Sequence, residues 1–330
     1  MPRYKFAFPV FNAIMNDNLS FKVADVEFVK KSDLDSNYFL YIDEALKIKE
    51  NQIFATVTVC GEESYAKKTA LEKCIFATDI FKICSDLYHS NIFNPKKWQF
   101  DIVSDFVTQG LSYVFYKDLT PNSQNKYHIN LHTERFNSTI DSKLIKSMNK
   151  WNIKDFETMY HTRFSSNCKS IHKVLQRACH IYSKVFSINN LYERVILLCT
   201  ILDTLATNER EGKIPQLKKY LPSLVLIDKK LSVQLENFIE RMYMIRSAYI
   251  HNADEMALTE DNVDKLEKIV YRLILQMTRS SVNYNSTKEI CCAIDKNKFN
   301  PFLDNLPTIV FLSQRRFSLF CWIKKLLNKY

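Results

Sequence analysis

The sequence predicts an α+β protein, an N-terminal α/β domain followed by an all-α helical bundle. Three observations predict it. Residues 1–60 alternate apolar and polar side chains at the strand period of two. A long apolar stripe at helical spacing then runs from Ala66 to Leu87. From about residue 140 the pattern turns helical and stays so. The expected division is an α/β domain over 1–150, a helical bundle over 151–285 and a basic tail over 286–330.

In the first part, Tyr4 to Phe11 is aromatic-rich and bounded by prolines. Leu19, Phe21 and Val23 alternate with polar residues, as do Val26 and Phe28. Ile53, Ala55, Val57 and Val59 form a further strand, which Gly61 ends. The stripe Ala66, Ala70, Cys74 (with Leu71), Ala77, Ile80 or Phe81, Cys84 and Leu87 predicts a helix from about Glu62 to Ser90. Beyond Pro95, Trp98–Val103 and Leu111–Tyr116 read as strands, and Asp118 to Asn125 as a polar loop. His128 and His132 follow on one face of a strand, with no further metal ligands identifiable.

In the second part, Ile171, Val174, Ala178, Ile181 and Val185 form one helical stripe, and Leu191, Val195, Leu198, Leu202 and Leu205 a second. Leu235, Phe238, Met242, Ile245 and Tyr249 form a third. Val263, Leu266, Val270, Leu273 and Met277 form a fourth, with Thr259 as N-cap and Glu260 and Asp261 in its first turn. Four such helices joined by short links describe a bundle. The longest link, Asn208 to Pro222, carries Gly212, Pro215 and Pro222. The chain ends in a basic amphipathic stretch, 314–330, which either packs on its own domain or meets nucleic acid or a membrane surface.

Composition narrows the function. Gly61, Gly110 and Gly212 are the only glycines, so neither a P-loop nor a dinucleotide fingerprint can be written. The formal net charge of +10 points to an anionic partner, or to a basic surface that only keeps the protein soluble. Residues 286–330 supply +5 of it, from eight Lys/Arg against three Asp/Glu. Nine cysteines, an odd number with no CxxC, suit reduced thiols in a cytoplasmic protein. The N-terminus lacks the apolar core of a signal peptide, and no apolar run reaches the length of a membrane span.

The stretch with chemical potential is Glu240-Arg-Met-Tyr-Met-Ile-Arg-Ser-Ala-Tyr-Ile-His-Asn252. Arg246 is a permanent cation, and histidine, here His251, is the residue type suited to moving protons. The spacing alone carries little weight: twelve arginines and seven histidines yield roughly one such pair by chance. On an ideal helix the two residues point about 140° apart, which predicts that one helix alone does not gather them. A two-fold partner would bring both to one cleft.

Met242 to Asn252 resembles the closing motif of HEPN-superfamily domains, especially the Apea-like branch, in which a Tyr-x-x-Arg-Ser-x-x-x-His pattern ends a bundle helix. Tyr243, Arg246, Ser247 and His251 fit it in register, with Asn252 where a glycine is usual. Leu202-Asp-Thr-Leu205 is similar to the branch's Leu-Glu-x-Leu signature, with Asp203 replacing glutamate. The resemblance spans about 165–285, and loosely the preceding α/β region. It implies a metal-independent, cofactor-free endoribonuclease acting as a homodimer on RNA, as a toxin or an abortive-infection effector in antiphage defence, with an antitoxin or trigger molecule as a further partner. It implies His251 as general acid or base and Arg246 as the phosphate-binding cation. Ser247 or Asn252 would orient the histidine or the phosphate. Asp203 would position Arg246, tune His251, or serve only as a local cap. The alternative is a non-catalytic HEPN-like dimerisation module that binds nucleotide or protein.

Overall fold

The computed structural model describes residues 1–15, 19–34, 50–89, 110–118, 126–132, 138–148, 152–207, 212–225 and 229–301. The strand expected at Trp98–Val103, most of the polar loop before Asn125 and the basic stretch 314–330 lie outside them. The chain forms two compact units that divide at Asn189/Asn190. Among the described residues, no helix is long and apolar enough to cross a membrane.

The first unit is built on a mostly antiparallel sheet in the order β2-β3-β4-β1-β5-β6, with β7 beside β1. Its strands are β1 (Arg3–Met15), β2 (Phe21–Val23), β3 (Val26–Lys30), β4 (Gln52–Cys60), β5 (Gly110–Asp118), β6 (Lys126–His132) and β7 (Ser138–Ile140). Strand β1 is shared along one edge: Tyr4–Ala7 pair with β5, and Ala13–Met15 pair in parallel with β7. Pro9 falls between these two ladders, where its missing N–H costs no bond on that edge. A register shift between Val10 and Ile14 accompanies the change of partner. His128 and His132 both fall on β6.

Helix α1 (Glu63–His89) covers one sheet face. Gly61 adopts φ 145°, a backbone state disfavoured for other residues, and turns the chain from β4 into α1. Apart from half-buried Leu71, the predicted stripe is buried from Ala66 through Cys84. The Phe81 ring lies 4.8 Å from that of Phe21, and Cys74 donates to the Ala55 carbonyl. Every residue from Phe76 to Ser85 is buried, polar ones included. A helix buried all round needs neighbours on every side.

Some of those neighbours are α3 (Ile153–Arg163) and α4 (Ser170–Val185), after the short α2 (Ser142–Met148). The break therefore comes later than the expected 150/151 boundary. The helix carrying Ile171 to Val185 belongs to the first unit, where buried Ile171, Leu175, Ala178, Cys179 and Tyr182 form its packed face. Asp79 of α1, almost fully buried, meets His180 Nδ1 at 3.0 Å and accepts from the Ser183 hydroxyl. Tyr160 of α3 donates to Asp25 in the β2–β3 turn, and Lys73 of α1 pairs with the same carboxylate at 2.6 Å.

The second unit is helical: α5 (Leu191–Leu205), α6 (Lys213–Leu224), α7 (Lys229–Asn252), α8 (Glu260–Ser280) and α9 (Thr287–Asp295). Helix α8 is its core. All five residues of its predicted stripe are buried, and Thr259 caps it by accepting from the Asn262 N–H. The long link expected at 208–222 is largely the helix α6. Pro215 sits in its first turn, where no intrahelical N–H is needed, and Pro222 in its last. Its Leu217, Tyr220, Leu221 and Leu224 are buried at helical spacing. The described part of the tail joins the unit: Tyr220 donates to Asp295 of α9 at 3.0 Å, and Lys219 pairs with the same side chain.

Candidate functional site

Helix α7 positions the motif. Leu235, Ile239, Met242 and Ile245 are buried and pin one face of it. Arg246 and His251 both lie within the helix, which runs through Asn252. The chain then leaves through Ala253 at φ 50°, and the Asp254 N–H returns to the Ala248 carbonyl. The left-handed residue is thus Ala253, one place beyond Asn252. The following loop is held by Tyr192, whose hydroxyl donates to the Met256 carbonyl at 2.8 Å, and by Arg241, which donates to the Ala257 carbonyl. The Tyr192 and Tyr249 rings stack 4.8 Å apart, joining α5 to α7.

Arg246, Ser247 and His251 line one cleft of about 330 Å³, together with Tyr243, Ile250 and Ile214 of α6. A single chain therefore gathers Arg246 and His251, contrary to the expectation from the helical wheel. The wheel treats side chains as radial points. Here Tyr243, Ser247 and Ile250 line the same cleft, and the neighbouring α6 adds Ile214. Asn252 is exposed at the helix end and is not among the cleft's lining residues.

Asp203 of α5 lies beside this cleft, its side chain only 9% exposed. The Tyr243 hydroxyl donates to its Oδ1 at 2.6 Å and lies 3.1 Å from the Cys199 carbonyl. Lys213 Nζ donates to Oδ2 at 2.8 Å, and Arg246 Nη1 stands 3.7 Å from the same oxygen. Of the roles open to Asp203, contact with Arg246 is the one present. Burial, then the nearby Cys199 and Asp203, raise the Tyr243 phenol well above its ordinary range, so it keeps the proton it donates to Asp203. Burial likewise raises the Cys199 thiol and leaves it inert.

The Arg246 guanidinium lies 5.7 Å from the centre of the Tyr243 ring, within cation–π range. Its Nε is buried without a hydrogen-bond partner among the described residues. His251 is exposed and has no hydrogen-bond or ion-pair partner among them. The arrangement offers an anion one cation with donors to spare, a hydroxyl and a titratable imidazole, over an aromatic and aliphatic floor. A cleft of this volume is at the small end for ligand sites.

Two participants were not legible as site residues in the sequence, Lys213 and Ile214. Both come from the first turn of α6, and the spacing of Leu217, Tyr220, Leu221 and Leu224 was the signal that could have placed them on a helix. No known protein family, curated protein or solved structure matches this chain.

Proposed function

We propose that the protein is a metal-independent endoribonuclease, acting as a homodimer in toxin or abortive-infection defence. The observation that carries this reading is the single cleft lined by Arg246, Ser247 and His251 above Tyr243. In the reaction the ribose 2′-hydroxyl attacks the adjacent phosphate, the 5′-oxygen leaves, and a 2′,3′-cyclic phosphate remains. His251 moves the proton, from the 2′-hydroxyl or to the leaving oxygen. Arg246 balances the charge that builds on the phosphorane oxygens. Ser247 lines the same cleft and offers a further donor. The HEPN-like register of Tyr243, Arg246, Ser247 and His251, and the net charge of +10, support the same reading.

One observation favours a second reading. His251 has no orienting partner among the described residues, and a catalytic imidazole is usually held by one. Either a second copy of the chain supplies that partner, or the unit is a non-catalytic module binding nucleotide or protein. An antitoxin or trigger molecule fits either case.

The test uses purified protein and single-stranded RNA in EDTA. The proposal expects 2′,3′-cyclic phosphate ends and no cutting at a position bearing a 2′-deoxyribose. Stable dimers that bind nucleotide without cutting RNA would establish the second reading instead.

A further inference from the structure

We propose that Lys213 is a positioning residue that keeps Arg246 available to an anion in the cleft. This rests on the reading of the cleft as a phosphate site.

Asp203 faces two cations and a phenol. Tyr243 donates to Oδ1 at 2.6 Å and Lys213 to Oδ2 at 2.8 Å, so both oxygens have a closer donor than Arg246 at 3.7 Å. An arginine beside a nearly buried carboxylate with one oxygen left open closes on that oxygen, and its charge is then largely neutralised. Lys213 occupies the oxygen that such a pair requires. The three charged groups together carry +1 with Lys213 present and 0 without it.

Exposure follows the same division. The Lys213 and Arg246 side chains are 40% and 27% exposed, whereas Asp203 is 9% exposed. The cations reach solvent and the carboxylate does not. The Nε of Arg246 is buried without a hydrogen-bond partner among the described residues, so no hydrogen bond holds the guanidinium from that side. Lys213 owes its place to Gly212, whose left-handed φ of 65° turns the chain into α6. Asp203 thus steadies Arg246 while Lys213 offsets the carboxylate's charge.

The experiment measures binding of a fluorescent single-stranded DNA, which lacks the 2′-hydroxyl and is not cut. It compares the wild-type protein with Arg246→Ala, Lys213→Met, Lys213→Arg and the double variant Lys213→Met/Asp203→Asn, with thermal midpoints recorded for each. Arg246→Ala and Lys213→Met are each expected to weaken binding about five- to tenfold. Lys213→Arg keeps wild-type binding. The double variant, which removes both the lysine and the carboxylate it neutralises, returns to within about twofold of wild type. A double variant as weak as Lys213→Met overturns the proposal, because the lysine then serves the ligand or the fold directly. Unchanged binding in Lys213→Met, with Arg246→Ala weakened, overturns this inference and leaves the functional reading standing. Unchanged binding in Arg246→Ala overturns both.

Discussion

Tyr243 does more for the site than any other uncharged residue. It lines the cleft, its ring faces the Arg246 guanidinium, and its hydroxyl donates to Asp203 and lies near the Cys199 carbonyl. Tyr243→Phe keeps the ring and removes the donor. The expected cost is about 1–2 kcal/mol, because a nearly buried carboxylate oxygen loses its partner. Urea denaturation measures it, and unchanged stability would show that water replaces the hydroxyl. Ala253 is a second residue where the local geometry predicts an outcome. A Cβ at φ 50° is strained, so Ala253→Gly should stabilise the end of α7 by about 0.5–1 kcal/mol. A lower thermal midpoint in that variant would mean that the turn is set by its loop contacts and not by its backbone.

At the scale of elements, α5 and α8 are fastened by Arg194. Its side chain is 1% exposed, and it meets Glu260 at 3.0 Å, Asp264 at 3.7 Å and Glu267, all on α8. Arg194→Met removes the two guanidinium donors that the mostly buried Glu267 accepts from. The expected loss is about 3 kcal/mol, read from the midpoint of urea unfolding. A loss below about 1 kcal/mol would show that the exposed carboxylates dominate the pairing and that it is worth no more than a surface ion pair.

The helices show what a sequence reveals and where it stops. The stripe and cap of α8 were legible because Val263 to Met277 keep helical period and Thr259 sits where a cap belongs. Helix α6 was not, because Pro215 and Pro222 read as breakers, although Pro215 lies in the first turn, where no N–H is needed, and the helix runs on past Pro222 to Leu224. The helix from Ser170 to Val185 was legible as an element, but its partner was not. An amphipathic stripe states that a face is buried and does not state against what. For the same reason the sequence singled out Tyr243, Arg246, Ser247 and His251 on one helix, yet not Ile214, which joins their cleft from α6, or Lys213, which pairs with Asp203 of α5. Asp203 was found through its neighbours Leu202 and Leu205, and its contacts came from the fold alone.

At the scale of the whole molecule, the two units carry different kinds of information. The first is a sheet braced by α1, α3 and α4, with its buried polar groups tied to one another, as in Asp79 with His180 and Ser183. The second contains the cleft proposed to cut RNA. The measurement that tests that claim most directly is the rate of single-stranded RNA cleavage in EDTA by wild-type, Arg246→Ala and His251→Ala proteins of equal thermal midpoint. The account predicts cleavage by the wild-type chain and a loss of about 10²–10⁴-fold in His251→Ala, with a comparable loss in Arg246→Ala. Wild-type rates in both variants, or no cleavage by the wild-type protein, would contradict it.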